Sequence, residues 1–473
     1  MRKRAGLVSL LSGAVLSAGL AGCGAAPGTG PWPPAGAGET TITILSGTDT
    51  SLSAGNQPVT KGEPGIYQQL ADWWNTYEAP SQHIRVQLDV VAGGATTVHS
   101  EMLAASGAGR TSYDVYNLDS EWVPEFAAAG YIRSLQGKTP VRGFLAKPLA
   151  SARDAGGRLY ALPFITDVGL LYYRNDLVRP AQVARLHTFN QVTALGERMI
   201  EDHPSAGLTE PYVAQFGSYE GLTVNVLEII RGYDPGAFAA DGTAADSNAV
   251  SGGLQQLADA FTAGEIPHQE LNYTEAQAVS AFATGRAVFM RNWPIYYEQI
   301  LAASPSGTST VARHFSVAAL PFPSVLGGQD LAISASSPHP AEALKVISFL
   351  TSAAAERCLF AVGGFPATRG SAYSGDGGLP AGYGPAPGKP LCGTQPGRET
   401  RIGPAILAAI GTAIPRPVTR YYTEFSTVIQ DQVWPMLARA SRSGDPGVPG
   451  VVTALATALQ STATGHAPPD AGG

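Results

Sequence analysis

The sequence predicts an α/β protein of more than one domain, and two observations carry that expectation. Short β-rich runs alternate with amphipathic helical stretches along most of the chain, the pattern of strands covered by helices. The roughly 435 residues beyond position 38 also exceed what one ordinary hydrophobic core organises. A hydrophobic content of 44% supplies the apolar residues such cores need.

The elements follow in order. Thr41 to Leu45 reads as a first strand. Ile66, Leu70, Trp73, Trp74 and Tyr77 recur at helical spacing, and Ile84, Val86, Leu88 and Val90 alternate as a strand does. A helical pattern runs from about Thr97 to Ala105, Asp114 to Leu118 is a short buried strand, and a helix then reaches about Ala129. This alternation predicts a mainly parallel sheet. A turn at Gly156 and Gly157 leads into Leu159 to Phe164, and Gly169 to Arg174 reads as another strand. The centre is helical near 188–202, 221–231, 250–263 and 275–284. Strands are expected at Ala287 to Met290, Phe315 to Leu320 and Asp330 to Ser334. The C-terminal third reads as helical, interrupted by a Gly/Pro-rich loop from about Ser371 to Gly397, with a disordered end from about Thr462.

The first residues carry the most specific signal. Arg2, Lys3 and Arg4 precede an apolar stretch from Ala5 to Leu20. That stretch is short for a membrane span, which needs about 20 residues, and fits the apolar region of an export signal. Leu20-Ala21-Gly22-Cys23 resembles a bacterial lipobox. The resemblance implies cleavage before Cys23 and lipidation of its thiol, which a serine hydroxyl would not replace. Gly24 to Gly38 is rich in Gly, Pro and Ala and reads as a flexible tether.

Charge narrows the function classes. Charged residues make up 14% of the chain and the net charge is −7. Lys/Arg do not cluster beyond the N-terminus, which argues against a nucleic-acid partner. With Cys23 given to lipid, Cys358 and Cys392 remain of three cysteines, and exported proteins keep disulfides. A bridge would close a loop of roughly 35 residues, worth about 3–4 kcal/mol by chain entropy; two free buried thiols are the alternative. Neither cysteine has a partner at zinc spacing, so no metal or cofactor is expected.

Five segments in order then resemble extracellular solute-binding proteins of the maltose-binding type (family 1). They are Tyr113 to Tyr131, Gly157 to Leu177, Ala281 to Met290 with Trp293, Ala319 to Leu350, and Arg416-Pro417-Val418-Thr419-Arg420-Tyr421-Tyr422. The last is similar to a late segment of actinobacterial sugar-binding lipoproteins, including the trehalose-binding type. The resemblance implies a two-lobed periplasmic-binding-protein-like fold (type II), with the ligand between lobes joined by crossing segments. On that pattern residues 1–22 are a lipoprotein signal peptide and 23–39 a tether. Residues 40–165 and 318–350 form one lobe, 166–317 and 351–462 the other, and 463–473 a disordered tail. It further implies a monomeric, lipid-anchored receptor at the extracellular face of the cytoplasmic membrane. That receptor closes on a di- or oligosaccharide and delivers it to the permease subunits of an ABC importer.

A sugar needs acid, amide or Arg groups for its hydroxyls and rings for its C–H faces. The candidates are Asp49, Asp119, Asp167, Glu220, Trp293, Gly364, Phe365 and Arg416. Asp49 follows the first strand, and Asp119 ends a strand where a helix begins. Asp167 follows Pro163 in the first crossing segment. Glu220 lies where a polar loop opens a helix, and Trp293 follows a buried strand. Gly364 offers close backbone approach beside Phe365, and Arg416 is fixed between two prolines. Each also has an ordinary structural reading: a helix cap, a hinge hydrogen bond, core packing, a tight turn or a salt bridge.

Catalytic motifs are absent: no G-x-S-x-G, no H-E-x-x-H. Gly137-Lys138-Thr139 ends like a phosphate-binding loop, but position 132 is Ile where that loop needs Gly. The chain therefore reads as a binding protein and not an enzyme. The alternatives are a receptor for a non-sugar solute, a lipid-anchored sensor, or a glycoside hydrolase using Asp119 and Glu121.

Overall fold

The computed structural model describes residues 38–47, 65–108, 112–302, 310–374 and 401–466. Cys23, Asp49 and Cys392 lie outside them, as do the expected export segment and most of the tether and of the 371–397 loop. The described strands are β1 (Thr40–Gly47), β2 (Ile84–Val91), β3 (Val115–Asp119), β4 (Ala161–Val168), β5 (Leu170–Arg174), β6 (Glu210–Val213), β7 (Ala287–Asn292), β8 (Phe315–Ala319) and β9 (Leu326–Ile333). They form two sheets, ordered β2-β1-β3-β9-β4 and β6-β7-β5-β8. The principal helices of the first half are α1 (Ile66–Tyr77), α2 (Ala95–Gly107), α3 (Val123–Ala128), α4 (Ala146–Ser151) and α5 (Phe189–Asp202). Next come α6 (Glu220–Tyr233), α7 (Ser247–Ala263), α8 (Glu275–Ala283), α9 (Pro340–Leu350) and α10 (Ala353–Cys358), then α11 (Gly403–Thr412), α12 (Tyr422–Ser443) and α13 (Val448–Ala463).

The mainly parallel sheet expected from the alternation is corrected. Among the described strands only β1–β2, β1–β3 and β6–β7 pair in parallel. β9 runs against both β3 and β4, and β5 runs against β7 and β8. The reason is that β9 returns from the second lobe and inserts into the first sheet, a connection that local alternation does not reveal. β9 also begins at Leu326, before the expected Asp330, because Gly327 and Gly328 read as breakers. Gly328 adopts φ +125°, and a Cβ there would lie 2.1 Å from the Ile165 carbonyl oxygen. This close approach accompanies the β4–β9 irregularity between Pro163 and Ile165.

The first lobe is anchored by aromatic packing. Trp74 donates from Nε1 to the Ile84 carbonyl at 2.7 Å, and Trp73 stacks on Phe349 at 5.5 Å, joining α1 to β2 and α9. In the second lobe α6, α7, α12 and α13 pack together. Apolar spacing at Val451, Leu455 and Leu459 carries α13 to Ala463, into the stretch expected to be disordered.

The chain passes from the first sheet to the second at Gly169, between β4 and β5, and returns between β8 and β9. The Gly169 amide donates to Ser324 Oγ at 2.6 Å, tying the two crossings. Beneath them Arg291 and Glu228 form a bidentate pair at 2.8 and 2.9 Å, each 1% exposed. Glu228 also accepts from Ser324 Oγ at 3.1 Å and from the Val325 amide at 3.0 Å. The hinge is thus built on a buried charge pair with further hydrogen bonds, the condition under which such a pair is tolerated. Among the described residues no single helix is long and apolar enough to cross a membrane.

Candidate ligand-binding site

A cleft of about 340 Å³ lies between the lobes, at the small end of ligand pockets. The ends of strands feed it. Asp119 closes β3, Asp167 sits one residue before the end of β4, and Trp293 directly follows β7. Ligand sites in α/β sheets gather at these carboxyl ends. From the first lobe come Asp119, Gly93, Gly94, Gly328 and Gln329, with Gln329 Nε2 donating to Asp119 Oδ1 at 3.0 Å. From the second come Tyr219, Glu220, Glu275, Trp293 and Tyr296.

Trp293 is braced. The Arg291 guanidinium carbon lies 3.8 Å from its ring centroid, a cation–π contact that covers one face. Its Nε1 donates to Glu275 Oε1 at 3.4 Å. Because Arg291 is itself held by Glu228, the indole is positioned by the hinge.

Phe365 reaches the cleft from a loop after a π-helical turn, Leu359–Gly363. Gly364 does not line the cleft, which corrects its expected role. It adopts φ +81° to end the turn, and its amide donates to the Phe360 carbonyl at 3.1 Å. Glu356 anchors the loop, accepting from Thr368 N and Oγ1, both at 2.6 Å, and from Arg369 N at 2.9 Å. Burial pushes the Glu356 carboxyl up to about 8, against the pull of Thr368 and Arg369. Cys358, seven residues before Phe365, is disulfide-bonded.

Arg416 lies on a segment held from both sides. Lys147 Nζ donates to the Gly411 and Ala413 carbonyls at 2.7 and 2.5 Å, while the Val418 amide donates to the Ala240 carbonyl at 2.9 Å. Arg416 Nη1 donates to Glu121 Oε1 and, at 3.0 Å, to Glu220 Oε1. Glu220 also accepts from the Tyr422 hydroxyl and from Ser426 Oγ, each at 2.5 Å. Burial works against the guanidinium's charge, but Glu121, Tyr422 and Glu220 outweigh it and push the Arg416 pKa up. A Cβ on Gly327 would stand 2.9 Å from Arg416 Nη2, so a larger residue there would make the guanidinium shift.

The structure therefore brings Asp119, Asp167, Glu220, Trp293, Phe365 and Arg416 together. Sequence reasoning missed Glu275, Gln329 and Tyr296 as lining residues. Glu275 opens α8 behind Thr274, a signal that reads equally well as helix capping. Gln329 reaches the cleft only because β9 inserts beside β3, which has no local signature. Glu121 lies on the far side of Arg416, lining an apolar pocket of about 170 Å³ with Pro124, Pro415, Pro417 and Val418. Asp119 and Glu121 therefore do not face each other across one substrate space, as a glycosidase pair would.

Comparison with known proteins agrees with this architecture. Residues 60–357 match the family model for bacterial extracellular solute-binding proteins. A probable ABC transporter-binding protein of Deinococcus radiodurans is 30% identical over 258 residues, covering 52% of this chain and 60% of that protein's length. The maltose-bound MalE3 structure of T. maritima is 25% identical with a TM-score of 0.69, covering 88% of this chain and 99% of that one. The GacH receptor of Streptomyces glaucescens, solved unliganded and with acarbose, shares the fold at 18% identity and a TM-score of 0.66, covering 90% of this chain and 99% of that one. The two-lobed α/β architecture is shared with those structures. The chain belongs to the bacterial extracellular solute-binding protein family, of the maltose-binding type.

Proposed function

We propose that this protein is the lipid-anchored receptor of an ABC importer, capturing a neutral sugar of one or two rings between its lobes. The observation that carries the reading is the cleft itself. Carboxylates from both lobes, Asp119 and Asp167 against Glu220 and Glu275, surround two aromatic side chains, Trp293 and Phe365. Carboxylates accept from sugar hydroxyls, and aromatic rings cover C–H faces. With Arg291 on one face of Trp293, the other takes the sugar. The maltose held by the T. maritima relative supports the same chemistry.

Splitting the ligand's partners between lobes makes binding favour closure, and the permease reads the closed form. Cys23 supplies the anchor, and the Cys358 bridge, which we assign to Cys392, stiffens the chain ahead of Phe365. The Glu121–Arg416 pair, which takes one carboxylate away from the substrate space, supports delivery without chemistry.

The test is a thermal-shift screen of residues 39–473 against sugars, polyols, amino acids and polyamines. A ligand at 100 times its Kd adds about 2.7 kcal/mol and raises the midpoint. One or two shifting sugars, recovered unchanged after long incubation, support the reading. A shift with amino acids or polyamines alone rejects the sugar, and product formation rejects the receptor.

A further inference from the structure

The cleft's charge is arranged in an unusual order. Among the described residues lining it are four carboxylates, Asp119, Asp167, Glu220 and Glu275, and one cation, Arg416. An arginine in a ligand cleft ordinarily attracts anions, since its planar fork matches carboxylate and phosphate. Here part of that capacity is already used, while Nε is buried without a hydrogen-bond partner among the described residues. Nη1 is shared between Glu121 and Glu220, and the guanidinium carbon lies 5.9 Å from the Tyr422 ring centroid.

The two acids are not equivalent. Glu220 lines the cleft, with a side chain 25% exposed. Glu121 is 2% exposed and lines the pocket behind Arg416. A ligand in the cleft thus meets Glu220 directly but is separated from Glu121 by the guanidinium. A carboxylate so buried requires a charge partner, and Arg416 stands beside it. Burial and Glu220 push the Glu121 carboxyl up while Arg416 pulls it down; ionised against that guanidinium, Glu121 acts on the ligand only through Arg416, by cancelling its charge.

We infer that Glu121 is a specificity-determining residue: a hidden counter-ion that stops Arg416 from capturing anionic sugars and leaves the cleft selective for uncharged ones. The inference rests on the sugar reading above and deepens it. Specificity of this kind comes from a penalty on the wrong partner as much as from contacts with the right one. A sugar phosphate entering the cleft meets four carboxylates and a cation already paired on its far side. Without Glu121 that cation faces the cleft with Glu220 as its remaining acid partner.

The experiment is isothermal titration with two matched pairs, trehalose against trehalose 6-phosphate and maltose against maltose 1-phosphate. The wild type is expected to bind a neutral member at least about tenfold more tightly than its phosphate, a difference of roughly 1.4 kcal/mol. Glu121→Gln keeps the side chain's shape and should narrow that ratio by about tenfold. The double variant Glu121→Gln/Arg416→Gln should restore the discrimination, because the gain requires the guanidinium; this is a coupling measurement. Should Glu121→Gln fold poorly by circular dichroism, Glu121→Met removes the carboxylate at similar volume and carries the same test. An unchanged ratio, or a narrowing that persists in the double variant, overturns the inference while the sugar reading stands. A wild type that prefers the phosphate does the same. A wild type that binds neither pair and none of the sugars of the thermal-shift screen overturns both.

Discussion

Trp293 and Gly169 show how single residues divide between function and fold. Trp293→Ala removes a ring that is only partly buried and leaves Arg291 held by Glu228. We expect ligand affinity to fall by roughly tenfold, the scale of an aromatic contact of about 1.5 kcal/mol, with a much smaller change in melting temperature. Equal affinity by calorimetry would remove Trp293 from the site. Gly169 is the reverse. Its φ lies outside the positive range, but a Cβ there would stand 2.7 Å from Arg291 Nε and 2.8 Å from Glu228 Oε1. Gly169→Ala should cost about 1–3 kcal/mol through overpacking of the buried pair, read as a lower denaturant midpoint at unchanged slope. An unchanged midpoint would show that the hinge gives way freely.

At the scale of elements, the loop bearing Phe365 depends on Glu356 and Cys358. The folded-state pKa of Glu356 is raised from 4.5 to about 8, so the native state holds this proton more tightly than the unfolded chain does. Its contribution is fully present below the unfolded value and is lost as pH rises toward the folded one. The melting temperature should therefore fall between about pH 5 and pH 8. Burial pushes Glu270 and Asp330 up as well, so part of the slope remains in any single variant. Glu356→Gln should flatten it, and parallel slopes in wild type and variant would place the dependence on the other carboxyls. Cys358→Ser should lower the melting temperature under non-reducing conditions, through a loss of up to about 3–4 kcal/mol. Identical melting of wild type with and without reductant would show that the bridge carries no stability.

Across the whole molecule we expect the two sheets to move as lobes about the crossings at Gly169 and Ser324. A sugar that touches Asp119 on one side and Trp293 on the other should reduce the radius of gyration in solution scattering. A ligand that binds without compaction would contradict the hinge mechanism. Arg416 bridges Glu121 and Glu220; we expect this bridge to resist opening before ligand arrives, so Arg416→Gln should expand the ligand-free form.

The sequence by itself determined the family-level fold and most elements, because periodicity is local. Ile66 to Tyr77 shows its helix, and Ile84 to Val90 its strand, without reference to anything distant. It also marked Asp119, Asp167, Glu220, Trp293, Phe365 and Arg416, since strand ends, proline-fixed arginines and a family pattern are visible in one dimension. The tertiary structure decided what long-range pairing controls. It inserted β9 between β3 and β4, turning a sheet expected to be parallel into a mixed one and carrying Gln329 to Asp119. It gave the Gly364 amide to Phe360 rather than to the cleft. It also set Glu121 behind Arg416, 295 positions away in sequence. Hydrogen-bond partners and charge neutralisation depend on distances of about 3 Å between residues remote in the chain, and only folding fixes those distances.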